Sequence, residues 1–137
     1  MIEVDDRYWP VVLFRFAGQV TLAELNDYLA KMEQLLDRPG RSSGLVVHQS
    51  ARAWDSAMVR RQAAWMKSHA ERIREKSLGV ALVVTSPILR GILRAILWIQ
   101  PMPQPHKVFG DIPSALAWLS ERLASAGLRM PDVEAHL

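Results

Sequence analysis

Histidine, serine, arginine and tryptophan are the side chains through which this chain could do chemistry, because it contains no cysteine. Without thiols there is no cysteine nucleophile, no zinc–thiolate centre and no disulfide, and such a composition suits a reducing compartment. The four histidines, His48, His69, His106 and His136, show no His-x-x-x-His spacing of the kind that points two imidazoles at one metal. There is no Gly-x-Gly-x-x-Gly, no phosphate-cradling Gly-Lys-Ser/Thr and no Gly-x-Ser-x-Gly elbow. Neither a metal nor a cofactor is expected, and the chain reads as a non-enzyme. An enzyme would have to gather His48, Gln49, Ser50, Thr85 and Ser86 at the C-terminal ends of strands, where open α/β sheets place ligands. Those side chains serve equally well as strand ends and helix caps.

Binding chemistry has more to work with, in three constellations. Arg90, Arg94 and Trp98 recur every four residues and so stack on one side of a helix, with Gly91 and Ala95 between them. Ile88, Leu89, Ile92, Leu93, Ile96, Leu97 and Ile99 cover a wider arc of that helix than one sheet face needs. The excess predicts either a dimer face or one wall of an apolar pocket, with the arginines at its mouth to receive an anionic head group. The plainer alternative is a helix buried on most sides, with both arginines solvated. Trp54, Trp65 and His69 form the second constellation: Trp65 and His69 lie one helical turn apart, and Trp54 precedes the same helix. Aromatic rings with polar tips suit ligand or partner surfaces, although such rings also simply pack on a sheet. The third is Asp55-Ser56 at a helix start, where a phosphate on Ser56 would meet free amides and the helix dipole. There, too, Asp55 or Ser56 could be no more than the cap.

The elements that hold these residues alternate between strand and helix. Ile2–Val4 and Val11–Phe16 read as strands of an opening hairpin turned around Asp5-Asp6-Arg7, the second with period-two alternation. Thr21-Leu22-Ala23-Glu24 is a capping box, and Leu22, Leu25, Leu29, Met32 and Leu36 follow at helical spacing. Gly44–Gln49 is a short strand. A long helix is expected from Asp55 to about Lys76, with Val59, Ala63, Met66, Ala70 and Ile73 inward. Gly79–Thr85 is apolar without alternation, as in a strand covered on both faces. Ser86-Pro87 opens the arginine-bearing helix as a cap followed by proline at the first helical position, and Pro101, Pro103 and Pro105 close it. Lys107–Phe109 is a last strand. A helix from about Pro113 to Ala126 follows, with Ile112, Leu116, Leu119 and Leu123 inward and Gly127 as its C-terminal cap. The order β-β-α-β-α-β-α-β-α predicts an α/β fold, a mostly parallel sheet of about five strands with four helices.

At 137 residues, half of them hydrophobic, one domain spanning 1–137 is expected, with a core of about residues 8–127 and a C-terminal tail at 128–137. The N-terminus carries no signal-peptide pattern and no apolar stretch reaches the ~20 residues of a membrane span, so a cytoplasmic protein is expected. The +3 net charge is uneven: residues 41–107 hold eleven Arg and Lys against three Asp and Glu. Of these, Arg60, Arg61, Lys67, Arg72, Arg74 and Lys76 spread around one helix rather than along a stripe, so nucleic acid is not the expected partner.

Three stretches together carry a family resemblance: Phe16-Ala17-Gly18-Gln19-Val20-Thr21-Leu22, Val83-Val84-Thr85-Ser86-Pro87, and Lys107-Val108-Phe109-Gly110-Asp111 with Ala115-Leu116-Ala117-Trp118-Leu119. Their order and spacing resemble the bacterial SpoIIAA-like (STAS-type) family, whose fold is related to the CRAL-TRIO lipid-transfer domains. The resemblance implies one of two functions. Members that antagonise anti-sigma factors are switched by phosphorylation of a serine at the start of the helix after the third strand, which falls here on Ser56. Their switch motif is a short Asp-Ser-Ser-Gly-like turn, whereas this chain reads Asp55-Ser56-Ala57-Met58 after a longer connection. Broader members imply binding of small apolar ligands or lipids. The leading expectation is therefore a homodimeric binder of an apolar or amphipathic molecule, and the alternative is a phospho-regulated partner switch docking on a regulatory protein.

Overall fold

The computed structural model describes residues 1–49 and 54–133. Among them are five strands, β1 (Ile2–Asp5), β2 (Val11–Ala17), β3 (Ser42–Gln49), β4 (Ser77–Val84) and β5 (His106–Phe109). The helices are α1 (Leu22–Asp37), α2 (Ser56–Ser68), α3 (Ala70–Lys76), α4 (Pro87–Ile99) and α5 (Ile112–Ser125). The strands form one mixed sheet in the order β1-β2-β3-β4-β5, with β1 antiparallel to β2 and every later pair parallel. That is the expected α/β sheet with its N-terminal hairpin.

Alternation along each strand sends successive side chains to opposite faces, and each face is covered differently. Val11, Leu13, Leu45, Val47, Ala81 and Val83 meet Ala115, Leu119 and Leu123 of α5. On the other face Val12, Phe14, Phe16, Val46, Val80, Leu82 and Val108 meet Tyr28, Met32 and Leu35 of α1 together with Leu93 and Leu97 of α4. Helices α2 and α3 add a further cluster, in which Met58, Trp65 and Ile73 pack with Leu25, Leu29 and Leu36 of α1. Every residue of β4 from Leu78 to Val84 is buried, as its unbroken apolar run predicts. Gly79 lets α5 pack closely on β4, since its φ is +154° and a Cβ would lie 2.9 Å from the Trp118 ring.

The helix count differs from the expected four. The segment expected to be one helix from Asp55 to about Lys76 is two, with His69 at φ −110°, ψ 11° between them. The Trp65 carbonyl accepts the His69 amide at 3.1 Å and the Ser68 hydroxyl at 3.0 Å, and the His69 Nδ1 lies 2.8 Å from it. Side chains competing for one backbone carbonyl loosen a helix at that turn. The apolar phase of α2 also differs: Met58 is buried, whereas Val59 is 53% exposed.

Candidate functional site

The residues singled out in the sequence fall into separate parts of the fold, and α4 carries the largest group. Its start is fixed by Ser86, whose Oγ accepts the Leu89 amide at 3.3 Å, and by Pro87 in the first turn. Leu93 and Leu97 face the sheet. The arginine stripe also turns toward the protein. The Arg90 guanidinium donates to the carbonyls of Val84 and Thr85, both at 2.9 Å, and Arg94 donates to the Val108 carbonyl at 3.2 Å. These carbonyls lie where β4 ends and within β5, so the arginines act as charged clamps between helix and strands. Gly110 makes room for one of them, because a Cβ there would lie 2.7 Å from Arg90 Nη1. Next to it, the Asp111 carboxyl is held below its usual range chiefly by the Ser114 amide and hydroxyl that it caps, with Arg90 adding a smaller Coulombic pull.

With Arg90 half-buried on the strand end and Arg94 exposed but bonded to a strand carbonyl at one edge, the outward arc of α4 is apolar. Ile88, Leu89, Ile92, Ile96, Trp98 and Ile99 are all exposed, Ile88 at 76%, Trp98 at 89% and Ile99 at 83%. No residue of α4 is fully buried. Large apolar side chains exposed singly are ordinary, but a contiguous group marks a binding surface.

The second constellation is divided by burial. Trp65 is buried in the cluster between α1 and α2, with the His69 ring stacked on it at 4.3 Å between centroids. His69 Nε2 lies 2.8 Å from Glu33 Oε1, which ties α2 to α1. Trp54 is half-buried beside Phe16, at 5.9 Å between centroids. These rings hold helices together, and only Trp98 presents most of its indole to the outside.

Ser56 is the exposed first residue of α2. Asp55 is the cap, since its Oδ1 accepts the Met58 amide at 2.9 Å. At the strand ends, His48 is half-buried with its ring stacked on Phe16 at 5.3 Å, and burial lowers its pKa. Gln49 and Thr85 are exposed and Ser86 is spent on its cap, while Ser50 lies outside the described residues. Among the described residues no group of three or more His, Asp or Glu could hold a metal ion, and no helix is long and apolar enough to cross a membrane.

Sequence reasoning did not single out Gly110 or the Asp111 cap. The run Phe109-Gly110-Asp111-Ile112-Pro113 carries the signal: a glycine at the strand end, then an Asx cap and a proline in the first turn.

A mixed sheet opened by an antiparallel hairpin and continued by parallel βα units is the architecture of SpoIIAA-like domains. The SpoIIAA-like family profile matches residues 11–120, and the chain belongs to that family. It is similar in fold to the crystal structure of an uncharacterized protein from the DUF3478 family of Shewanella loihica PV-4, described as having a SpoIIAA-like fold. The TM-score is 0.66 at 17% identity, over 87% of this chain and 92% of that one. No curated protein matches the chain.

Proposed function

We propose that this chain is a non-enzymatic binding module, one cytoplasmic domain over 1–137, that takes an apolar or amphipathic molecule on the outward face of α4. The observation that carries the reading is the contiguous apolar arc of that helix, exposed and bordered by Arg94 alone among exposed charged residues of α4. Covering it would remove from water the surface whose exposure is most costly in this fold. The commitment of Arg90 and Arg94 to backbone carbonyls favours a ligand held by its apolar part over one held by an anionic head group. Native mass spectrometry of the purified protein, beside an organic extract of the denatured sample, tests it. A retained lipid-sized mass, lost in Ile92→Glu, is expected. A monomeric, apo protein whose α4 binds neither extract lipids nor a fluorescent apolar probe would overturn the reading.

A second reading rests on Ser56, which stands exposed at the helix start while Asp55 does the capping. A hydroxyl not needed by the fold is open to modification, and a phosphate there would sit on the first-turn amides of α2. This version makes the module a partner switch for a regulatory protein. A Ser56→Asp variant that binds candidate regulators with unchanged affinity would remove its support.

A further inference from the structure

We infer that the outward face of α4 is built to meet the same face of a second copy of this chain, forming a twofold helix-to-helix dimer. The inference rests on the reading of α4 as a binding face and gives that face a second copy of the chain in place of a small apolar molecule.

Three independent observations carry it. The first is area. From their exposed fractions the six large apolar side chains present roughly 700–800 Å², beyond the ~300–600 Å² of the largest patch on a typical monomer and close to the ~800 Å² that each partner buries in a standard interface. The second is charge. A twofold interface places a patch against itself, so any charge near the axis would face its own copy. The helix's two charged residues lie off that axis: Arg90 is half-buried on the carbonyls of Val84 and Thr85, and Arg94, though exposed, is bonded to the Val108 carbonyl at the edge of the patch beside Trp98.

The third is Gly91. A mid-helix glycine is destabilising by roughly 0.5–1 kcal/mol relative to alanine, and nothing in this chain requires one here. A Cβ at Gly91 would have no atom within 4 Å, and no positive φ is present to need glycine. By helical spacing Gly91 and Ala95 lie between Trp98 on one side and Ile88, Ile92 and Ile99 on the other. They form a shallow track through the middle of the apolar arc. Two such tracks crossing at the axis would let the helices approach closely, with Trp98 and the isoleucines of each copy packing alongside.

The test is the mass of the full chain in solution by sedimentation equilibrium across micromolar concentrations, for the parent, Gly91→Leu and Ile92→Glu. Both substitutions point outward, so unchanged far-UV circular dichroism should confirm that the variants fold. The expected result is a parent at twice the 15.5 kDa chain mass, with each variant losing about tenfold or more in dimer affinity, the scale of one interface hot spot. A parent dimer that neither variant weakens would overturn the inference, since the copies would then meet elsewhere. A monomeric parent would overturn it too. If that monomer retained extract lipid or co-sedimented with phosphatidylcholine vesicles, the binding reading would stand without the dimer. If it bound neither, both would fall.

Discussion

Arg90 lies so close over Gly110 that the two positions behave as a unit. Removing the guanidinium in Arg90→Ala frees the Val84 and Thr85 carbonyls and should cost about 1–2 kcal/mol at this half-exposed site. Gly110→Ala should cost less, about 1 kcal/mol or below, because its Cβ would displace only the flexible end of Arg90 from its carbonyls. The double variant should therefore be no less stable than the worse single one. Urea denaturation of the four proteins measures the cycle, and fully additive losses would show that the glycine is there for another reason. His48 makes a pH prediction. Burial against Phe16 lowers its pKa below the ordinary 6.5, so the folded chain binds this proton more weakly than the unfolded one. Its contribution is complete above the unfolded value and is lost as pH falls from there through the lower folded value. Parent stability should decline over that window and His48→Phe should decline less. Parallel urea midpoints for the two proteins across the window would acquit His48.

Among the elements, α4 is the one that its own chain holds least. It rests on Leu93, Leu97 and two arginine clamps, whereas β3 and β4 are buried along most of their length. Amide hydrogen exchange should therefore report α4 opening well below the global unfolding free energy when the helix has no occupant. In the Ile92→Glu variant, peptides covering 87–99 should exchange long before those of β3 and β4, and an occupied parent should protect them. Protection of α4 equal to that of β4 in the variant would mean that the helix needs no partner. The bounds of this helix were legible in the sequence because Ser86-Pro87 and the following prolines fix both ends chemically. The succession of elements along the chain and the α1 capping box were legible for the same reason, being set by local chemistry. The break at His69 was not, since it depends on where the Ser68 and His69 side chains turn. Nor was the direction of Arg90 and Arg94. Spacing places them on one stripe, but only the sheet beneath decides whether that stripe meets solvent, a ligand or strand carbonyls. The same gap placed Val59 inward, where its neighbour Met58 is the buried residue, because packing on α1 sets the phase.

For the molecule as a whole, an uncovered apolar face is a free-energy difference waiting for an occupant, and thermal unfolding can tell the occupants apart. Whatever binds the folded chain but not the unfolded one raises the melting temperature by mass action. If the occupant is a second copy, Tm should climb with protein concentration. With a small apolar ligand, Tm should climb with added ligand at fixed protein concentration. A partner switch acting through Ser56 would show neither effect. Gly91→Leu separates the cases further. Replacing an exposed mid-helix glycine favours the helix in the single chain by roughly 0.5–1 kcal/mol, so at low concentration this variant should melt at or above the parent. At high concentration the order should invert, because only the parent gains from association. A parent Tm that stays flat across concentration, with the variant above it throughout, would mean that Gly91 is merely a weak point in α4 and that the face is closed by something other than a second copy.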